Sequence, residues 1–271
     1  RRNSVVRSEN VLGPYEPIVE GDINGLDAPL FNYDVNRGLD ATLFIDDNND
    51  MYMYYAQITS TEESIWGVKM ISPYEVDLTT NTQLVRPGYL DSTFTGSNNL
   101  LAWERYRTEE IGYASIVEGP FMIKSPNGKY YLTYSVNHYP NRFYTVCYAE
   151  SDSPLGDYTK PYTKENKENG ETWTNLLFGY AGGHNGTKVH DQWKGFMSGT
   201  AHHCFFKIGD QWMIGYHAHK NRDNSENGRM FAMDYIYFDE NGVPYAEGPT
   251  YSIQPLPEAI SGYKNIAVNA N

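Results

Sequence analysis

The chain is poor in cysteine, in long apolar runs and in positive charge. Its two cysteines, Cys147 and Cys204, have no CxxC spacing, which excludes a zinc ribbon and a dithiol redox motif. Both lie in apolar, strand-like runs, where a free thiol packs as a small buried hydrophobe; a disulfide between them is the alternative. No apolar stretch approaches the roughly 20 residues of a membrane-spanning helix. Lysine and arginine number 21 against 34 aspartates and glutamates, a formal net charge of −13. Such a balance argues against a nucleic-acid partner, which calls for a basic face to neutralise phosphates. Residues 179–186 are glycine-rich but lack GxGxxG and Gly–Lys–Ser/Thr, so they do not read as a phosphate loop. Neither GxSxG nor HExxH occurs. Residues 46–50, DDNND, lack the glycine and the distal glutamate of an EF-hand and read as a hairpin turn.

Helical periodicity is scarce too. Short β runs, broken by Gly, Asn, Asp and Pro turns, follow one another along the chain. Aromatic residues make up 15 % of the sequence and tyrosines alone number 24, enough to build a large core. Three segments share one shape: LDATLFIDDNNDMYMYYA (39–56), VEGPFMIKSPNGKYYLTYS (117–135) and AHHCFFKIGDQWMIGYHAH (201–219). Each opens near an ionisable residue, Asp40, Glu118 or His202. An apolar strand, a tight polar turn and a second, aromatic-rich strand follow. A second repeat relates SENVLGPYEP (8–17) to SDSPLGDYTKP (151–161), with Ser, Leu, Gly and Tyr in register. Recurring units of this kind indicate a repeat architecture, and four-stranded units with turn signals indicate an all-β propeller. The innermost strand of each propeller blade starts beside the axis. Asp40, Glu118 and His202, far apart in sequence, are therefore expected around one central pocket. Residues 160–171 and 219–229 read as surface loops. Residues 1–260 read as one propeller domain and 261–271 as a tail or linker.

The segment IVEGPFMIKSPNGKYYLTYS resembles the general-acid motif of glycoside hydrolase family 43. GLDATLFIDDNNDMYMYYA resembles that family's Asp–Pro–small signature, with Ala41 in place of the usual proline. SGTAHHCFFKIGDQWMIGYHAH resembles its late-blade Gly–x–Gly–His motif, with Ala201 where glycine is common. GRMFAMDYIYFDENGVPY (228–245) resembles the stretch that closes its catalytic domain. The resemblance implies a five-bladed β-propeller of four-stranded antiparallel blades, of which this chain covers about three and the edge of another. It implies Glu118 as general acid, Asp40 as the carboxylate that tunes the acid and orients substrate, and His202 and Arg229 as substrate contacts. His202 is also a candidate ligand of a structural calcium on the axis; no cofactor is implied for the chemistry. The family's third carboxylate, the general base, normally begins the first blade. Asp22, Asp27 and Asp34 do not match its motif, and residue 1 is Arg rather than Met, so the base and the first blade are expected upstream.

Family members that resemble this chain invert: an acid protonates the leaving oxygen while a base, roughly 6.5–9.5 Å from it, activates a water on the opposite face of the sugar. The acid must then hold its proton near neutral pH, and an anionic neighbour such as Asp40 favours the protonated form. Trp66, Trp103, Trp173 and Trp193 are candidates for a sugar platform. The implied activity is release of terminal L-arabinofuranosyl or D-xylosyl residues from arabinoxylan, arabinan or xylo-oligosaccharides, with a secreted or periplasmic location. The alternatives are an endo-arabinanase of the same family, a non-catalytic carbohydrate-binding propeller lacking the upstream base, and a fructan-acting propeller enzyme, whose nucleophile motif is not found.

Overall fold

The computed structural model describes residues 5–18, 37–58, 63–87, 106–108, 112–114, 116–137, 139–140, 144–160, 175–179, 182–183, 197–219, 228–246, 248–250, 253–255 and 257. Two short strands, β1 (Val6–Arg7) and β2 (Glu16–Pro17), pair with each other. The first full sheet contains β3 (Arg37–Ile45), β4 (Met51–Ile58), β5 (Glu63–Ser72) and β6 (Glu75–Val85) in sequential antiparallel order. A small ribbon, β7 (Tyr106–Thr108) and β8 (Gly112–Ala114), follows. The second sheet runs β9 (Val117–Lys124), β10 (Tyr130–Val136), β11 (Thr145–Ser151), β12 (Leu176–Gly179) and the two-residue β13 (Gly182–Gly183). The third contains β14 (Ser198–Ile208), β15 (Gln211–His219), β16 (Arg229–Phe238) and β17 (Pro244–Ala246). Among the described residues no helix is long and apolar enough to cross a membrane.

The sheets stack face to face as blades, and side-chain alternation shows how. Side chains on a strand point alternately to the two faces of a sheet. In β10, where every residue is buried, Tyr130, Leu132 and Tyr134 pack toward the first blade beside Tyr52, Tyr54 and Ala56. Tyr131 points the other way, toward Phe205, Ile214 and Tyr216 of the third blade. The middle blade is thus covered on both faces, which is why its strands read as continuous apolar runs rather than alternating ones. Tyrosine suits these interfaces because its ring fills volume while its hydroxyl reaches a polar group. Tyr54 donates to the Pro154 carbonyl at 3.0 Å, Tyr55 to Asn81 Oδ1 at 2.8 Å and Tyr216 to Asp234 Oδ2 at 2.6 Å.

The two SxxxLGxY repeats fold alike. Gly13 N donates to the Asn10 carbonyl at 2.8 Å, and Gly156 N to the Ser153 carbonyl at 3.2 Å. Tyr15 and Tyr158 each return their hydroxyl to the carbonyl four residues earlier, on Val11 and Pro154.

One expectation fails. Cys147 is buried, but Cys204 is exposed and both thiols are free. A bulge at His202–His203 precedes Cys204, and its ladder partner is Gly215, which puts no side chain over it.

Candidate active site

The inner strands β3, β9 and β14 carry the same defect at the same place. In β3 the register slips between Leu39 and Thr42, so that Asp40 and Ala41 together oppose Tyr55. In β9 it slips between Glu118 and Phe121, and in β14 between Ala201 and Cys204. These are β-bulges, which twist a strand and re-aim its side chains. Each bulge places one residue in the left-handed region: Asp40 at φ 55°, Gly119 at φ 56° and His202 at φ 53°. Glycine adopts this conformation freely, whereas aspartate and histidine do so at a cost of about 1–3 kcal/mol. Such strain concentrates at functional sites.

The register refines the equivalence expected from sequence. Asp40 and His202 share the bulge position with Gly119, not with Glu118. Glu118 stands one residue earlier, level with Leu39 and Ala201. Its side chain is aimed by pairing with Ser135 across the β9–β10 ladder. Gly119 permits close approach: a Cβ there would lie 3.4 Å from both His202 Nδ1 and Ser135 Oγ.

The three bulges are held against one another. Gly119 N donates to Asp40 Oδ2 at 3.3 Å, which sets the Asp40 carboxylate beside the backbone that carries Glu118. Thr42 Oγ1 donates to the Pro120 carbonyl at 2.9 Å, and His202 N donates to Ser135 Oγ at 2.8 Å. His202 Nε2 lies 3.9 Å from Asp40 Oδ1, beyond hydrogen-bond length but within Coulombic reach.

A residue that sequence reasoning missed joins the group. Tyr144, fully buried just before β11, donates its hydroxyl to Glu118 Oε1 at 2.5 Å and meets His202 Nδ1 at 3.2 Å. Burial first, then the Glu118 charge, pushes this phenol well above its ordinary range; the nearby Ser135 hydroxyl pulls the other way. The hydroxyl has one proton, and it goes to Glu118. The Nδ1–H of His202 therefore donates to the phenol oxygen, leaving Nε2 facing Asp40.

Two more histidines complete this end of the third blade. His203 is buried behind the bulge, 2.6 Å from Thr133 Oγ1. The Thr133 hydroxyl already donates to the Phe121 carbonyl at 2.8 Å, so His203 Nε2 is the donor and Nδ1 bears the lone pair. Burial, then the neighbouring His202, lowers the His203 pKa to about 3, so the ring is neutral. His217 stacks on His202 with ring centroids 6.0 Å apart and planes 13° from parallel. Burial, then Arg229, then His202, lowers its pKa. Arg229 opens β16, exposed, with its guanidinium 5.1 Å from the centroid of the Tyr139 ring. The four residues singled out in the sequence thus lie toward one end of the blades.

The opposite, turn end of the inner strands is chemically different. A cavity of about 810 Å³ there is lined by Phe44, Phe121, Phe205 and Trp212 together with Lys124, Lys207 and Asp47. Its carboxylate is engaged: Lys124 Nζ sits 2.5 Å from Asp47 Oδ2. Trp66 is half-buried against the Met53–Tyr55–Val68–Met70 cluster, with its indole N–H on Ser64 Oγ at 3.1 Å, which makes it a packing residue. Trp103, Trp173, Trp193, Asp22, Asp27 and Asp34 lie outside the described residues, as do nearly all of the two expected surface loops and the tail at 261–271.

A family model for glycosyl hydrolases family 43 matches residues 1–244. The chain belongs to glycoside hydrolase family 43. A β-D-galactofuranosidase named xynD from Aspergillus niger is 26 % identical over 234 residues, covering 86 % of this chain and 49 % of that protein. Among solved structures, an endo-1,4-β-xylanase from Bacteroides thetaiotaomicron superposes with a TM-score of 0.64 at 24 % identity, covering 91 % of this chain and 67 % of the other. A thermostable family-43 glycoside hydrolase gives 0.65 at 24 % identity, covering 94 % and 69 %. The sheets are thus blades of the family-43 β-propeller, and the chain spans about half the length of the curated relative it matches.

Proposed function

We propose that this chain carries the acid side of an inverting family-43 glycosidase that releases terminal L-arabinofuranosyl or D-xylosyl residues from plant cell-wall polysaccharides and oligosaccharides. The observation that carries this reading is the convergence of two carboxylates from different blades: Glu118 on Tyr144, and Asp40 on the Glu118–Gly119 backbone. Glu118 is the general acid. Its proton passes to the glycosidic oxygen as the C–O bond breaks. A water, deprotonated by the base, attacks the anomeric carbon from the opposite face. Asp40, anionic and close by, favours the protonated form of Glu118 before the reaction. Arg229 presents hydrogen-bond donors to sugar hydroxyls, and His202 presents Nε2 as an acceptor for one. The base of the pair is assigned to neither Glu118 nor Asp40 and belongs to residues outside those described.

The axial calcium fits poorly with the residues at hand. Calcium takes six to eight oxygen ligands. Among the described residues no three His, Cys, Asp or Glu side chains converge as a metal site. A calcium at His202 would take nearly all its ligands from water, and no step runs through it. A polymeric wall substrate places the enzyme outside the cytoplasm, as a secreted or periplasmic protein.

The test is hydrolysis of 4-nitrophenyl α-L-arabinofuranoside, β-D-xyloside and β-D-galactofuranoside and of linear arabinan by the full-length protein, beside Glu118→Ala. Activity on an arabinofuranoside or xyloside that the variant loses supports the reading and identifies the glycone. Cleavage of galactofuranoside alone would reassign the sugar to that of the Aspergillus relative. Arabinan cut internally, with the aryl glycosides untouched, would make the enzyme an endo-arabinanase. Inertness on all four would leave a carbohydrate-binding propeller.

A further inference from the structure

Glu118 has two carboxyl oxygens, and only one of them can carry the proton to the leaving group. We propose that Tyr144 is the positioning residue that decides which: by donating to Oε1 it fixes the carboxyl and leaves Oε2 to hold and deliver the proton. This inference rests on the reading of Glu118 as general acid.

Three observations carry it. The contact is short, 2.5 Å from the Tyr144 hydroxyl to Oε1, the length of a strong O–H···O bond to a carboxyl group. Its direction runs from phenol to carboxyl, the hydroxyl donating to Oε1, and His202 Nδ1, 3.2 Å from the same phenol oxygen, meets it as a donor. The ring is immobile, fully buried in the core between the second and third blades with Tyr131, Val146 and Tyr216. The hydroxyl is thus a permanent donor aimed at one oxygen. When the Oε2–H bond breaks and the proton moves to the glycosidic oxygen, the electrons of the C–O bond go to that oxygen. The charge left on the carboxylate then falls partly on Oε1, where Tyr144 already donates. Asp40 favours the acid before transfer; Tyr144 stabilises its anion afterwards.

Tyr144→Phe removes the hydroxyl and keeps the ring. The measurement is kcat and KM on two aryl glycosides of the glycone that the full-length wild type cleaves, one phenyl and one 4-nitrophenyl. Phenoxide is the poorer leaving group and depends more on the proton. The expected result is a fall in kcat of roughly tenfold to a hundredfold on the phenyl glycoside. The fall on the 4-nitrophenyl glycoside is smaller, and KM is unchanged on both. Ser135→Ala, which removes the acceptor of the His202 backbone N–H and so loosens the imidazole beside the hydroxyl, gives the same leaving-group signature more weakly and serves if Tyr144→Phe does not fold. Equal losses on both substrates, or none, would overturn the inference and reduce Tyr144 to a packing residue. Glu118→Gln separates the two ideas. If that variant loses phenyl-glycoside activity and Tyr144→Phe does not, only the role of Tyr144 fails. If Glu118→Gln keeps wild-type activity on the phenyl glycoside, the acid assignment fails and Tyr144 falls with it.

Discussion

Among the places where the blades turn left-handed are the hairpin turns and the inner-strand bulges, and different chemistry fills the two. At the hairpin turns the residues are Asn49, Gly128, Gly209 and Gly242; at the inner-strand bulges they are Asp40, Gly119 and His202. Asn and Gly tolerate this conformation best, and the turns that hold them close on themselves. Asp46 Oδ1 accepts from Asn48 N and Asp50 N, both at 2.9 Å. Asp239 Oδ1 does the same for Asn241 N and Val243 N, also at 2.9 Å. The joint between the second and third blades at this end is neutral, with Asn127 Nδ2 on the Asn241 carbonyl at 2.6 Å and Ser125 on the Gly242 carbonyl, and the one between the first and second is the exposed Lys124–Asp47 ion pair. At the bulges the same backbone conformation is forced on ionisable side chains, and the joints between blades run through them. Where the turn end satisfies only the fold, the bulge end accepts strain to aim carboxylate and imidazole at one point.

This contrast can be broken first at Asp40. Asp40→Gly relieves the left-handed strain but deletes the carboxylate. Activity should fall by about two to four orders of magnitude, while the melting temperature holds or rises. A loss of stability alongside activity would mean that Asp40 is a structural bulge residue like those at the turns. Gly119→Ala makes the converse change, forcing a side chain onto φ 56° against His202 and Ser135. It should cost about 1–2 kcal/mol, seen in thermal unfolding, and reduce kcat by displacing His202.

Acid should find the bulge end first. His203 is neutral in the fold, with its pKa lowered from 6.5 to about 3 by burial and then by His202. Between those values the unfolded chain binds a proton that the folded one does not. Stability from this residue is therefore whole above pH 6.5 and is lost as pH falls toward 3. Denaturant titrations from pH 7 to pH 4 should show that decline, and His203→Gln should flatten it. A decline unchanged by the variant would assign acid lability elsewhere. The smallest effects belong to the turn end. Asp46→Ala leaves two backbone N–H groups without their acceptor and should cost about 1 kcal/mol; Asn49→Gly should be neutral or slightly stabilising. Neither should change kcat in the aryl glycoside assay.

Much of this was legible in the sequence. The hairpins showed as apolar runs broken by polar turns around Asp46–Asp50, Ser125–Gly128 and Gly209–Asp210, because turn chemistry is local. The motifs around Glu118 and Asp40 pointed to the family. What could not be read there was register. A bulge adds one residue to one strand, and the sequence does not say which residue is extra. Glu118 therefore matches Asp40 and His202 in sequence, although it stands one place earlier in the ladder. The same bulge turned Cys204 outward. Tyr144 gave no signal at all: it is one of 24 tyrosines, and only packing of the second blade against the third brings it to Glu118.

The two SxxxLGxY segments mark the boundary between what sequence and tertiary structure each decided. Their turns and tyrosine bonds match, because both depend on contacts within a few residues. Yet the place of Leu155 is not local: it packs against the core shared by the first two blades. The sequence by itself determined the local hydrogen bonding, the β-hairpins and the ionisable residues at the strand heads. Only the stacking of blades decided what Leu155 packs against, which tyrosine meets the acid and how far His202 stands from Asp40, because those depend on surfaces supplied by residues distant in the chain.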